Sequence, residues 1–288
     1  QGVCGEVGGA AMCDTLLGLA PAALLGSAKI RRHRGAMQPM ASDSPAPASS
    51  RRRLLAQLLV GGLALAVPLA GHAAGGVSIT SYGHSALLIR GGGATVLLNP
   101  FKAVGCAAGL SEPRVRADVI LASSRLLDEG APVATGRFLV TPGSYRVAGL
   151  RIEGFAAPHD RLGGRRFGMA TLWRWKQGGL EIAHLGGTAA PLKPEDRVLL
   201  GKPDVLIIGV GGGAKVYTGA EAAEVVRDLQ PRRVIPVQYV SGTTPAGCDQ
   251  GDVKPFLDAM PGTPVQRPGR TVILGAPLSD ATQILVLQ

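Results

Sequence analysis

Six short polar clusters carry side chains capable of chemistry, and each follows an apolar run. They are Gly83-His84-Ser85, Asn99-Pro100-Phe101, the stretch Ser123 to Glu129, Pro158-His159-Asp160, His184-Leu185-Gly186-Gly187 and Gln238-Tyr239. Imidazole and carboxylate side chains brought together can move protons or ligate a metal. Ser124 with His159 as its base would make an oxygen nucleophile. Each feature also has a plainer reading. Adjacent acids such as Asp128 and Glu129 more often mark the start of a helix, where the dipole favours negative charge. Polar side chains at strand ends also commonly hydrogen-bond one another.

Arg161, Arg165 and Arg166 form a basic cluster between Arg161 and Gly168, with Arg174 and Lys176 following. Guanidinium groups grip phosphate or carboxylate through forked hydrogen bonds, so a loop folded over the pocket would take an anionic small molecule. A solvated surface loop is the alternative. Nucleic acid is not expected, because Trp173 and Trp175 are the only nearby stacking candidates and read as packing residues. The run Gly209-Val210-Gly211-Gly212-Gly213 lacks the lysine-serine or lysine-threonine ending of a phosphate loop and reads as a close backbone turn beside the pocket.

The elements that must position these residues are mostly short strands. Val77–Ser81, Ala86–Arg90 and Ala94–Leu98 are separated by Gly turns, and Asp118–Ala122 is a continuous apolar run typical of a strand buried on both faces. Further strands are expected at 138–140, 144–147, 150–155, 171–175 and 180–184. After residue 190 the pattern changes to strand–helix–strand: a buried strand at 204–209, a helix over 218–229 and a buried strand at 233–238. The helix has apolar residues at 222, 225, 226 and 229, with Thr218 and Glu221 forming a capping box. A short helix at 252–260 and strands at 271–274 and 283–287 close the chain. Strands followed by a strand–helix–strand unit imply a sheet-rich α/β sandwich.

The 288 residues carry a net charge of +10, with 46% apolar and 17% charged side chains, which excludes a disordered or low-complexity chain. The charge is uneven. Seven of the basic residues precede residue 77, leaving +6 for the remainder. Ser49-Ser50-Arg51-Arg52-Arg53 leads into an apolar run, Leu54–Ala70, and small residues follow, as in a twin-arginine export signal. Residues 1–48 are rich in Ala, Gly, Ser and Arg, a transit-peptide composition. The expected organisation is a targeting leader over 1–75 and a single domain over 76–288. The expected address is the thylakoid lumen of a chloroplast, with a bacterial periplasm as the alternative, and membrane contact only through the export signal. A transmembrane anchor is disfavoured by the shortness of the run and by Pro68. The domain keeps Cys106 and Cys248, either paired or free, and three histidines: His84, His159 and His184.

The succession Gly83–Ile89, Leu97–Phe101, Leu121–Glu129, His159-Asp160, His184–Gly187, Asp204–Gly213 and Ile235–Tyr239 resembles the metallo-β-lactamase fold. The similarity is to its ascorbate-phosphate-lactonase-like branch, and within that to exported cyanobacterial and plastid members. The resemblance implies a single αββα sandwich and a hydrolase-like function. It also places candidate catalytic groups at Asp128 and His159, and a pocket of His84, Asn99, Ser124, Glu129, Asp160, His184 and Gln238. Laid on the family's ligand pattern, Ser124, Leu126, Glu129, Gly187 and Gln238 stand at metal-ligand positions that differ from it. Asn99 stands where a supporting aspartate is usual, and Asp128 and His159 match. A dinuclear zinc site is therefore not expected. The cofactor is either none or a single divalent metal (zinc, iron or manganese) held by Asp128, Glu129 and His159. Three functions follow: a non-catalytic or chemically altered relative of these hydrolases, an active one-metal hydrolase of a small phosphorylated or lactone-like substrate, or a lumenal binding or assembly factor with a protein partner.

Overall fold

The computed structural model describes residues 75–288, and the leader expected over 1–75 lies almost wholly outside the described residues. Fourteen strands, three α-helices and one short 3-10 turn make up the described chain. The first five strands are β1 (Gly76–Ser81), β2 (Leu87–Gly91), β3 (Ala94–Leu98), β4 (Arg116–Leu121) and β5 (Thr135–Leu139). Next come β6 (Gly143–Val147), β7 (Leu150–Pro158), β8 (Met169–Gln177) and β9 (Leu180–His184). The remainder alternates: α1 (Pro194–Leu200), β10 (Val205–Gly209), α2 (Gly219–Leu229), β11 (Arg233–Val237) and α3 (Lys254–Asp258). The chain closes with β12 (Val265–Gly269), β13 (Thr271–Gly275) and β14 (Gln283–Leu287).

Two mixed sheets face each other. One runs β13-β1-β2-β3-β4-β5 and the other β12-β14-β11-β10-β9-β8-β7-β6. The strand period of two sorts each side chain to one face. Ile79, Ile89, Val96 and Val119 of the first sheet therefore meet Trp173, Ile182, Ile207 and Ile235 of the second in one core. Their neighbours Leu172, Ala183, Leu206 and Val234 turn outward, where Leu200, Ala222, Val226, Leu229 and Phe256 of the three helices cover them. The helical cover lies on the second sheet. The outer face of the first sheet carries only a small cluster of Leu88, Leu97, Ala117 and Ile120, packed with Tyr82, Val115, Ala134 and Phe138. Among the described residues no helix is long and apolar enough to cross a membrane.

The sandwich and its order of elements follow the sequence expectation closely. Thr218 caps α2, its side chain accepting from the Glu221 N–H while Glu221 reaches back, so the expected capping box is present. The sequence reading omitted α1 and β12. Helix α1 is a single seven-residue piece begun by Pro194, and β12 is almost wholly exposed, so neither shows a full hydrophobic period.

Strand direction decides where the polar clusters meet. β3 pairs parallel with β4, and β9 with β10 and β10 with β11 are parallel too, while antiparallel steps bring β1 and β7 into the same sense. His84, Asn99, Ser123 to Glu129, His159, His184 and Gln238 all therefore lie at the carboxyl ends of strands on one rim. Hydrogen bonds across the sandwich lock that rim: the Trp173 indole N–H to the Ala122 carbonyl at 3.0 Å, and the Thr171 N–H to the Ser123 carbonyl at 2.8 Å. The Gln238 N–H likewise donates to the His84 carbonyl at 2.9 Å.

Candidate functional site

The centre of the rim is the carboxylate of Glu129, which has no exposed surface. The loop after β4 folds tightly enough for the N–H groups of Glu129 and Gly130 both to reach the Leu126 carbonyl. That turn points Glu129 inward. Its Oε1 accepts from the Ser124 hydroxyl at 2.6 Å and lies 2.8 Å from His159 Nε2. The imidazole contact is at ion-pair distance. Oε2 accepts from the Gln238 amide at 2.8 Å. A carboxylate can only accept, which fixes the Gln238 NH2 toward it and leaves Gln238 Oε1 without a partner. Burial pushes the Glu129 pKa up, but the His159 ring, the Lys215 ammonium and the Ser124 hydroxyl outweigh it and hold the group at about 2.

Gly187 lies against this carboxylate. A Cβ built on Gly187 would come 2.2 Å from Glu129 Oε2 and 2.7 Å from His159 Nε2. The space in front of residue 187 is thus filled by the side chain of residue 129.

Asn99 holds the end of β4. Its Oδ1 accepts the Ser123 N–H at 2.8 Å and its NH2 donates to Ser123 Oγ at 2.9 Å, while the Gly187 N–H donates to that same hydroxyl at 3.3 Å. His84, Asn99 and Gln238 adopt φ of 48°, 39° and 51°, a left-handed backbone costly for side chains larger than glycine. Among the described residues, three of the five non-glycine residues with such a backbone lie on the rim. Such strain persists only where surrounding contacts impose it.

His184 is fully buried and His84 half-buried; burial pushes both down to about 4 against the opposing pull of Glu129 and, for His84, Asp128. Both nitrogens of His184 and Nε2 of His84 are buried without hydrogen-bond partners. Asp128, expected beside Glu129 as a catalytic or metal group, instead pairs with Lys215, whose Nζ lies 2.6 Å from Asp128 Oδ2. Lys215 is only 8% exposed and was not singled out from sequence. Its signal is present all the same: it is the one charged residue closing the glycine run after β10, beside the expected pocket.

Other expected site residues have different duties. Asp160 does not face the pocket. It accepts the N–H groups of Leu162, Gly164, Arg166 and Phe167, four bonds that staple its loop and lower its pKa against the cost of burial. Arg161, expected to bind an anion, is already engaged. It grips Glu221 with a forked pair of bonds and donates to the carbonyls of Gly213 at 2.8 Å and Val216 at 3.2 Å. Those carbonyls flank Lys215, so Arg161 braces the loop that carries it. Arg165 donates to the Leu162 carbonyl and Arg166 lies 4.8 Å from the Phe167 ring centre; both are exposed.

Two cavities border the rim. One, of about 390 Å³, is lined by His84, Cys106, Leu110, Tyr239, Thr243 and Gln288 among others. The second, of about 420 Å³, lies on the opposite side against Ser123, Ser124, Arg125, Phe167 and Met169. Cys106 and Cys248 form a disulfide, tying the segment after Phe101 to the loop after β11.

A family model described as a beta-lactamase superfamily domain matches residues 78–238. No curated protein matches the chain. Among solved structures, one described as a candidate Zn-dependent hydrolase of the metallo-beta-lactamase superfamily, from Thermotoga maritima, is 24% identical, with a TM-score of 0.59 over 74% of this chain and 100% of that one. A candidate metal-dependent hydrolase from Parabacteroides distasonis is 15% identical, with a TM-score of 0.51 over 74% and 94% of the two chains. An isothiocyanate hydrolase from Delia radicum gut bacteria is 13% identical, with a TM-score of 0.50 over 72% and 95%. At these identities the likeness is one of fold.

Proposed function

The chain belongs to the beta-lactamase superfamily, and from that premise we infer that it is a hydrolase-like member in which a hydrogen-bonded cluster around Glu129 has replaced the metal centre. One observation carries this reading. A metal site surrounds a cation with lone pairs, whereas here an anion is surrounded by donors. The Glu129 carboxylate takes the Ser124 hydroxyl and the Gln238 amide and touches the His159 ring, and it fills the space a side chain at 187 would enter.

A divalent metal would need lone pairs that these residues do not offer. Ser124 and Gln238 turn hydrogens toward the centre, Asp128 is paired with Lys215, and Gly187 contributes no ligand. His159 Nε2 faces the Glu129 carboxylate at 2.8 Å, so what is left is at most one imidazole lone pair each from His159 Nδ1 and from His184. Among the described residues, however, no group of three or more His, Cys, Asp or Glu side chains comes together in a geometry that could hold a metal ion. The residues present do not fit the metal, and no hydrolytic step is derived through one.

What the chain retains for function is a rigid rim with two flanking cavities, which suits a binding role for a small molecule or a protein segment. The Cys106–Cys248 bond supports an oxidising compartment, in keeping with the export signal and with the lumenal or periplasmic address expected from it.

Metal analysis of the purified protein tests the reading, together with turnover of phosphodiester, lactone and thioester substrates. The expected result is no stoichiometric zinc, iron or manganese and no turnover that EDTA removes. Near-stoichiometric metal that disappears in Asp128→Ala would overturn it in favour of a one-metal hydrolase.

A further inference from the structure

The cavity of about 390 Å³ beside His84 lies where the two sheets end, and its volume is that of an ordinary small-molecule site. Ser81 and Leu87, cross-strand partners on β1 and β2, come from the first sheet. Ile235 and Val237 of β11 and Leu287 of β14 come from the second. Two loops complete the wall: Cys106, Ala108 and Leu110 after β3, and the segment from Tyr239 to Pro245 after β11.

These walls are fixed in place. Cys106 is bonded to Cys248, so the two loops are joined covalently. The Tyr239 hydroxyl donates to the Leu287 carbonyl at 2.9 Å, and the Val240 N–H to the Gly251 carbonyl at 2.8 Å. Leu110 lies over Gly83, where a Cβ would meet its Cδ1 at 3.1 Å; the backbone there, with φ of 88°, takes a turn that favours glycine. A cavity held this way is preorganised, so a ligand need not order its walls on entering.

Charge sets this cavity apart. The chain carries 30 basic and 20 acidic residues, yet among the described residues no Lys, Arg, Asp or Glu side chain lines the space. The second cavity, by contrast, has Arg125 in its wall. The two titratable side chains that do line the first, other than the bonded Cys106, are both neutral at pH 7: burial pushes His84 down to about 4 and Tyr239 up. Leu87, Leu110, Ile235, Val237 and Leu287 supply apolar surface, and Ser81, His84, Ser241 and Thr243 supply groups able to hydrogen-bond. An ion placed here would lose its water and gain no counter-charge, whereas an apolar body would gain by leaving water.

We propose that this cavity is a binding site for an uncharged, mainly apolar small molecule that carries a hydroxyl or carbonyl group. The proposal rests on the binding role inferred above and gives that role a site and a ligand class. It departs from the anionic ligand expected of the arginine loop, since Arg161, Arg165 and Arg166 do not line this cavity.

The test uses N-phenylnaphthylamine, an uncharged fluorophore that brightens in apolar surroundings, with octanol, octanoate and octylammonium as competitors at neutral pH. Wild type is expected to take up about one equivalent of probe saturably. Octanol should displace it, and the two ions should do so at least roughly tenfold more weakly. Thr243→Trp and Leu110→Trp, both at partly exposed wall positions, should fill the space and weaken probe binding by a similar factor, with folding checked by circular dichroism. Full affinity in both folded variants would place the probe elsewhere and overturn the proposal, as would the absence of saturable uptake by wild type. Displacement by octanoate or octylammonium as effective as that by octanol would overturn the ligand class while leaving a binding role in place. Stoichiometric metal in the same preparation would overturn the metal-free reading and leave the cavity result standing.

Discussion

Glu129 occupies the space in front of Gly187: any side chain at 187 would begin 2.2 Å from a carboxylate oxygen that is itself bonded to Gln238. A side chain at 187 therefore requires the Glu129 carboxylate to leave its present place.

Gly187→Asp should accordingly destabilise the fold on the order of 3–5 kcal/mol, by overpacking and by burying a second anion against the first. Adding Glu129→Ala should recover part of that loss, with a coupling of roughly 1 kcal/mol or more between the sites. Urea denaturation of the two single variants and the double variant measures this. Simple additivity would contradict the shared space.

Removing the acceptor is expected to cost more than neutralising it. Glu129→Ala strands the Ser124 hydroxyl and the Gln238 amide in a dry site, a loss of roughly 3–5 kcal/mol. Glu129→Gln leaves an oxygen for Ser124, and a turned Gln238 amide can offer its unpartnered Oε1 to the new NH2, so the loss should be nearer ~1–2 kcal/mol. Equal losses in the two variants would mean the hydrogen bonds around Glu129 contribute little.

Stability should fall with acid in two stages. His84 and His184 are pushed from 6.5 to about 4, so the unfolded chain takes up their protons first, and stability drops as pH falls from about 6.5 to about 4. Glu129 is held at about 2 against 4.5 unfolded, so its contribution is complete above 4.5 and is lost as pH falls toward 2. Denaturant midpoints at a series of pH values read the profile, and His184→Gln should flatten the upper stage. A profile level from pH 7 to 4.5 would contradict the burial of neutral imidazoles.

Reduction should also be costly. The Cys106–Cys248 bond closes a loop of 142 residues, so replacing both cysteines with serine is expected to lower stability by about 2–5 kcal/mol through the entropy regained by the unfolded chain. Melting with and without a thiol reductant checks this, and an unchanged midpoint would contradict it.

The fold was legible because burial and period agree. Continuous apolar runs such as Val205–Gly209 became central parallel strands, and the Thr218–Glu221 capping box marked its helix correctly. The rim was legible as a place, since chemistry-bearing residues at strand ends must meet when their strands share a direction. The partners within it were not. Residue type cannot show that Asp160 would spend its oxygens on four backbone N–H groups, or that Arg161 would face Glu221 sixty residues away. Lys215 was hidden because its turn has no apolar period, and only the folded path brings it 87 residues back to Asp128.

The chain has two tryptophans, Trp173 and Trp175, both inside the sandwich, and the Trp173 indole N–H is bonded to the carbonyl of Ala122, two residues before Ser124. The protein therefore carries its own optical gauge. Any event that parts the sheets at the rim, acid among them, breaks that bond and lets water reach an indole, and fluorescence will register it without an added label.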